Sequence, residues 1–255
     1  MNNIQKLIIL SLVSTSGLAW ILSFATTDTM MIVDYNLLNI SLFTIIWTFG
    51  MIAMMFPAII PMILLYNKII IQKDKSDTLL ISKENKIIYS LKIILFTATY
   101  IIVWTIVGLI LYFGWYLFVN NFIVNYFSDD KINILFGGIL IISGVYQFTS
   151  LKRKCIGYCE SPLTFFTRRW HNGTIGAIKM GTYHGLYCLG CCWPYFLLMV
   201  ALGWMNIVWM GLFAGIIFGE KIWSKGIWIS RFTGIAFAIV GILSILGIIT
   251  LYNDT

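Results

Sequence analysis

Apolar residues run along this chain in long, nearly uncharged blocks separated by polar connections. About 20 apolar residues in helical form cross about 30 Å of hydrocarbon. Blocks of that order occupy 7–26, 38–66, 93–119, 133–150, 180–202, 205–219 and 227–251. The pattern predicts an all-α fold, a polytopic membrane helical bundle of seven transmembrane helices forming a single membrane domain over residues 1–255. The polar stretches 67–92 and 151–179 are too short to be domains of their own and are expected to be loops. No internal repeat or low-complexity tract is visible.

Composition agrees with this reading. The AVILMFWYC set makes up 60% of the 255 residues against 11% charged, and the mean hydropathy is +0.90. Soluble domains hold about 45–50% apolar and about 25% charged residues, so a soluble enzyme, a disordered tail and a secreted disulfide scaffold are excluded together. The net charge of +7 is a topology signal and not a nucleic-acid footprint, because Lys and Arg near span ends stay cytoplasmic. Lys6 precedes the first block. Lys68, Lys73, Lys75, Lys83, Lys86 and Lys92 fill one connection, Lys152, Arg153, Lys154, Arg168, Arg169 and Lys179 another, and Lys221, Lys225 and Arg231 precede the last block. Seven spans put 16 of the 17 basic residues on one side, with the N-terminus cytoplasmic and Asp254 outside. The opposite connections hold Asp28 and Asp34, or Asp129, Asp130 and Lys131. Lys6 followed by an apolar run could open a signal peptide, but the run is long for one and Phe24-Ala25-Thr26-Thr27 is a poor cleavage site. The first block is therefore expected to be a span.

The candidate chemistry lies in one interval, since all five cysteines and both histidines fall between Cys155 and Cys192. His184, Cys188, Cys191 and Cys192 stand at i, i+4, i+7 and i+8, which places them on one helix face over about 12 Å of rise. Cys155 and Cys159, at i and i+4, share a face if the preceding helix continues. On the cytosolic side these thiols stay reduced and are free to act as ligands. Met51, Met54, Met55 and Met62 form a helical stripe, and thioethers with thiolates are the soft donors that favour Cu(I). Each element has a plainer reading, as buried cysteine is a small hydrophobe and a methionine stripe is adaptable packing. An intramembrane histidine is harder to explain by packing, because an ionisable group there is expensive. His171, beside Arg168, Arg169 and Trp170, reads as a solvated loop residue. The metal reading therefore takes His184, Cys188, Cys191, Cys192, Cys155, Cys159, Met51, Met54 and Met55, with Cu(I) first and Zn(II) second. Pro57, Pro61 and Pro194 each free a backbone carbonyl, that of Gly190 in the last case. Glu220 is either a carboxylate supporting the site or, more simply, a partner of Lys221 or Lys225. Paired haem histidines, a lysine in the last block beyond Gly234, HExxH and Gly-x-Ser-x-Gly are all absent, so the chain reads more readily as a metal carrier than as an enzyme, with a membrane oxidoreductase as a third reading.

Over 47–221 the chain resembles the prokaryotic predicted metal-binding integral membrane proteins, a family of unknown function. The resemblance rests on Ala53-Met54-Met55-Phe56-Pro57, on Tyr100 with Trp104, on Gly144-Val145-Tyr146-Gln147, and on the stretch from Cys155 to Pro162. Its most specific part is His184-Gly185-Leu186-Tyr187-Cys188-Leu189-Gly190-Cys191-Cys192-Trp193, followed by Met205-Asn206 and Glu220-Lys221. It implies a prokaryotic cytoplasmic membrane and a metal at the His/Cys motif. Thr99 stands where that family has glycine, which implies a looser helix contact. The expected function is metal transfer, insertion or transport, with the lipid bilayer, a metallochaperone or membrane complex subunits as partners and no nucleic acid. The competing expectation is a non-catalytic subunit of a membrane complex, its cysteines structural and Trp104, Trp115, Trp204 and Trp209 packed on partners.

Overall fold

The computed structural model describes residues 3–26, 36–77, 83–118, 129–202, 206–223 and 225–249. Among them every regular element is a helix. In chain order these are α1 (Asn3–Ala25), α2 (Leu37–Asp77), α3 (Lys83–Phe118), α4 (Asp129–Tyr146), α5 (Ser150–Glu160), α6 (Pro162–Arg169), α7 (Gly173–Leu202), α8 (Ile207–Ile222) and α9 (Gly226–Ile245). The charges at Asp28, Asp34 and Asp254, and the pair Trp204 and Met205, lie outside the described residues.

The all-α expectation holds, but the count of seven spans does not. Among the described residues four helices are long and apolar enough to cross a membrane: Ile4–Ala25 of α1, Leu37–Gln72 of α2, Ile87–Phe118 of α3 and Gly226–Ile245 of α9. A fifth exists if Asn133–Tyr146 and Ser150–Glu160, bent by 64° at their break, make one span. The block at 205–219 lies in α8, whose 16 residues reach only about 24 Å and end in Glu220 and Lys221. The block at 180–202 lies in α7, where Gly181, Thr182, Tyr183, His184, Trp193 and Pro194 dilute the apolar run.

The two polar stretches are largely helical, which corrects their reading as loops. α2 runs on to Asp77 and α3 begins at Lys83, while 151–179 holds α5, α6 and the start of α7. Local caps explain the restarts. The Thr149 side chain accepts from the Lys152 N–H ahead of α5, and Ser161 accepts from the Thr164 N–H ahead of α6, with Pro162 in its first turn. Each short helix then buries one face, Lys152, Cys155, Ile156 and Cys159 on α5 and Phe165 and Phe166 on α6.

Proline and glycine set the contacts around the bundle. α2 continues through Pro57 and Pro61, and α7 through Pro194. Pro57 leaves the Ala53 carbonyl without its helical donor, and Ser16 Oγ at 2.8 Å and Trp20 Nε1 at 3.1 Å donate to it, tying α1 to α2. Pro194 frees the Gly190 carbonyl, which accepts from the Tyr146 hydroxyl and ties α4 to α7. α4 and α9 meet backbone to backbone, since a Cβ on Gly144 would lie 2.7 Å from the Gly234 carbonyl oxygen. α3 and α7 meet as closely at Gly181, where a Cβ would collide with the Phe96 carbonyl and Thr99 Oγ1. Thr99 therefore does not loosen that contact, because the missing side chain is on the opposite helix.

Large apolar side chains face outward on α1, α3, α8 and α9, including Leu7, Phe24, Ile110, Val208 and Phe232. Trp104, expected on a partner surface, is fully buried, and its carbonyl accepts from Trp47 Nε1 at 2.9 Å. Trp115 and Trp209 are half-buried, the latter stacked on Phe213 at 5.9 Å.

Candidate metal centre

α7 supplies the centre. The helical spacing of Cys188, Cys191 and Cys192 brings their sulfurs within 4.8 Å of one another, all three buried and all free thiols. Cys191 and Cys192 Sγ are 3.2 Å apart. The bend between α4 and α5 folds α5 back along α7, so that Cys159 Sγ comes to 3.9 Å from Cys191 Sγ. The two cysteine groups of the sequence therefore meet in space. Cys155 is buried with its sulfur against Gly190, where a Cβ would stand 2.8 Å from it. From the other side α2 presents Met55, whose Sδ lies 3.9 Å from Cys188 Sγ. Met51 and Met54 are buried in the same core, and no sulfur contact joins them to the thiols among the described residues.

His184 stands one turn before Cys188, outside the three-sulfur group. Its ring stacks on Tyr100 at 5.3 Å and Phe96 at 6.0 Å, with Phe165 edge-on at 5.6 Å. Only 3% of the residue is exposed, and Nδ1 has no hydrogen-bond partner. A buried unpaired polar atom costs about 1–3 kcal/mol, which is tolerable where the nitrogen serves a ligand. His171, half-buried in the short α6–α7 connection, donates from Nδ1 to the Arg169 carbonyl at 3.0 Å and stacks on Tyr183 at 6.2 Å.

Charged groups frame the sulfurs. Lys152 Nζ donates to Glu220 Oε2 at 2.8 Å and to the Cys191 carbonyl at 2.6 Å, and the Tyr195 hydroxyl donates to Glu220 Oε1 at 2.6 Å. Both carboxylate oxygens are thus engaged, and neither Lys221 nor Lys225 is the partner, as the sequence suggested. The reason is again the fold-back of α5, which carries Lys152 to the carboxylate. Lys221 points into the sulfur site, donating to Cys188 Sγ at 2.8 Å with Met55 Sδ at 3.8 Å. The Tyr100 hydroxyl is 3.2 Å from the same Cys188 sulfur.

Lys152, Lys221, Tyr195 and Tyr146 were not singled out as site residues by sequence reasoning. Glu220 was the available signal. It is the sole acidic residue between Glu160 and Asp254, and an isolated carboxylate in apolar surroundings requires a cation. Chemically, three thiols, a fourth at 3.9 Å and a thioether form a soft donor set with no carboxylate in it. Such a set suits Cu(I), and its thiolates also suit Zn(II).

No curated protein and no solved structure matches the chain. Residues 44–244, a span that contains every side chain of the sulfur site, match the PpoB2 family, described as a copper chaperone. The chain belongs to the PpoB2 copper chaperone family.

Proposed function

We propose that this protein is an integral membrane copper carrier that accepts Cu(I), with Zn(II) as the second choice, and passes it to a metallochaperone or a membrane complex. The observation that carries the reading is the convergence of sulfur from three helices distant in sequence. Cys159 on α5, Cys191, Cys192 and Cys188 on α7, and Met55 on α2 form a run with neighbouring sulfurs 3.2 to 4.8 Å apart. Copper is the cargo here, and a run of similar soft donors lets it move by exchanging one ligand at a time without a fully bare intermediate. His184, with its unpaired nitrogen, and Cys155 stand beside the run as further donors, and Met51 and Met54 line the same core on α2.

Membrane residence is supported by four helices of spanning length and apolarity and by the outward-facing leucine, isoleucine and phenylalanine side chains. The run of basic residues supports a cytoplasmic N-terminus and a cytoplasmic end for the α5–α6 segment in a prokaryotic cytoplasmic membrane. Cargo would then reach the sulfurs from the cytosolic side, where thiols stay reduced.

Metal analysis of the purified, reduced protein tests the reading. Wild-type protein should retain copper after dialysis, and the Cys188→Ser/Cys191→Ser/Cys192→Ser variant should lose it. An unchanged stoichiometry in that variant ends the proposal.

A further inference from the structure

We propose that Lys221 sets the metal selectivity of the sulfur site, its fixed ammonium favouring a monovalent, low-coordinate cargo over a divalent one. This rests on the copper-carrier reading above. Lys221 is buried at 6% exposure, and its Nζ lies 2.8 Å from Cys188 Sγ and 3.8 Å from Met55 Sδ. A buried ammonium needs a compensating anion. Glu220, its neighbour in sequence, is saturated by Lys152 and Tyr195, and no carboxylate pairs with Lys221 among the described residues. Its charge is therefore balanced by sulfur.

Two consequences follow for a metal ion held by Cys188, Cys191 and Cys192. The first is competition for ligands. The ammonium is in contact with Cys188 Sγ and close to Met55 Sδ and so competes with a metal ion for that sulfur pair, which costs a four-coordinate ion more than a two-coordinate one. Zn(II) in a closed protein site takes four ligands in a tetrahedron, whereas Cu(I) is stable with two or three sulfurs. The second is electrostatic. At a given place a fixed positive charge repels a divalent ion twice as strongly as a monovalent one. Cu(I) on two thiolates is a complex of charge −1, which Lys221 neutralises in a site screened from water. Zn(II) reaches that neutrality only by taking all three thiolates, and its fourth ligand must then come from Cys159, 3.9 Å from Cys191.

The test is a competition on the full-length protein in detergent under reducing, anaerobic conditions. Wild type, Lys221→Leu, Lys221→Gln and Lys221→Arg each receive equal Cu(I) and Zn(II), are dialysed, and have both metals counted by mass spectrometry. Wild type should retain Cu(I) almost alone. In both neutral variants Zn(II) should gain on Cu(I), the Zn(II):Cu(I) ratio rising by about tenfold or more, and Lys221→Arg, which keeps the charge, should stay near wild type. If Lys221→Leu does not fold, Lys221→Gln decides. An unchanged ratio in the neutral variants, or loss of Cu(I) without gain of Zn(II), overturns the role of Lys221 and leaves the copper reading standing. Wild-type protein that retains neither metal overturns the copper reading itself.

Discussion

Lys152 is one residue whose removal should be felt twice, since it neutralises Glu220 and holds the Cys191 carbonyl. Lys152→Met leaves a buried carboxylate without its cation, a loss of about 3–5 kcal/mol. Adding Glu220→Gln should recover much of that loss, because the uncompensated charge is gone. Chemical denaturation of the four proteins in detergent checks this, and additive losses would show that the two residues do not act as a pair. Tyr146 offers a finer test. Tyr146→Phe removes the donor to the Gly190 carbonyl and should cost about 1–3 kcal/mol. In a Pro194→Ala background the helical N–H returns to that carbonyl, so the Tyr146→Phe penalty should shrink. The freed carbonyl was legible in the sequence, since proline cannot donate to the residue four before it. Its partner was not, as Tyr146 lies 44 residues away and nothing local points from one to the other. The same holds for Glu220, whose need for a cation could be read while the identity of that cation could not.

At the scale of the helices, α3 against α7 aligns Tyr100 with both Cys188 and His184. Gly181 permits the approach, and Gly181→Leu should force α3 away from α7 at the Phe96 carbonyl. The expected outcome is a lower melting temperature and faster loss of bound copper to a chelator, whereas Gly17→Leu on α1, where a Cβ meets nothing within 4 Å, should leave both unchanged. Equal effects at the two positions would show that the close contact does not matter. The long apolar blocks were readable because length and hydropathy alone mark them. α5 and α6 were missed as helices because their 11 and 8 residues are polar enough to look like a loop, although Thr149, Ser161 and Pro162 carry the start signals. Their fold-back brings Cys159 to Cys191, and it depends on a 64° bend at residues 147–149 that no periodicity encodes.

For the whole molecule the number of crossings has a measurable parity. If α1, α2, α3, the bent α4–α5 pair and α9 are five spans and the N-terminus is cytoplasmic, the basic residues of 68–92, 152–179 and 221–231 all fall in the cytoplasmic connections or toward the cytoplasmic ends of the spans that flank them. α7 and α8 then begin and end on that same side. With only four spans, Lys152, Arg153, Lys154, Arg168 and Arg169 would face outward against the positive-inside rule. Reporter fusions at both ends should therefore show the N-terminus inside and the end after α9 outside. Both ends on one side would support four crossings and remove the cytosolic placement of the thiols. Seven blocks and five spans share this parity, which is why the charge pattern alone could not tell them apart.

On the proposed function, sulfur from α2, α5 and α7 holds one copper ion. Copper-edge X-ray absorption of the Cu(I)-loaded protein reads the ligand atoms directly. Wild type should show a first shell of sulfur that is lost when Cys188, Cys191 and Cys192 are changed to serine. A wild-type first shell of oxygen and nitrogen, or a sulfur shell that survives those changes, would contradict the proposed function.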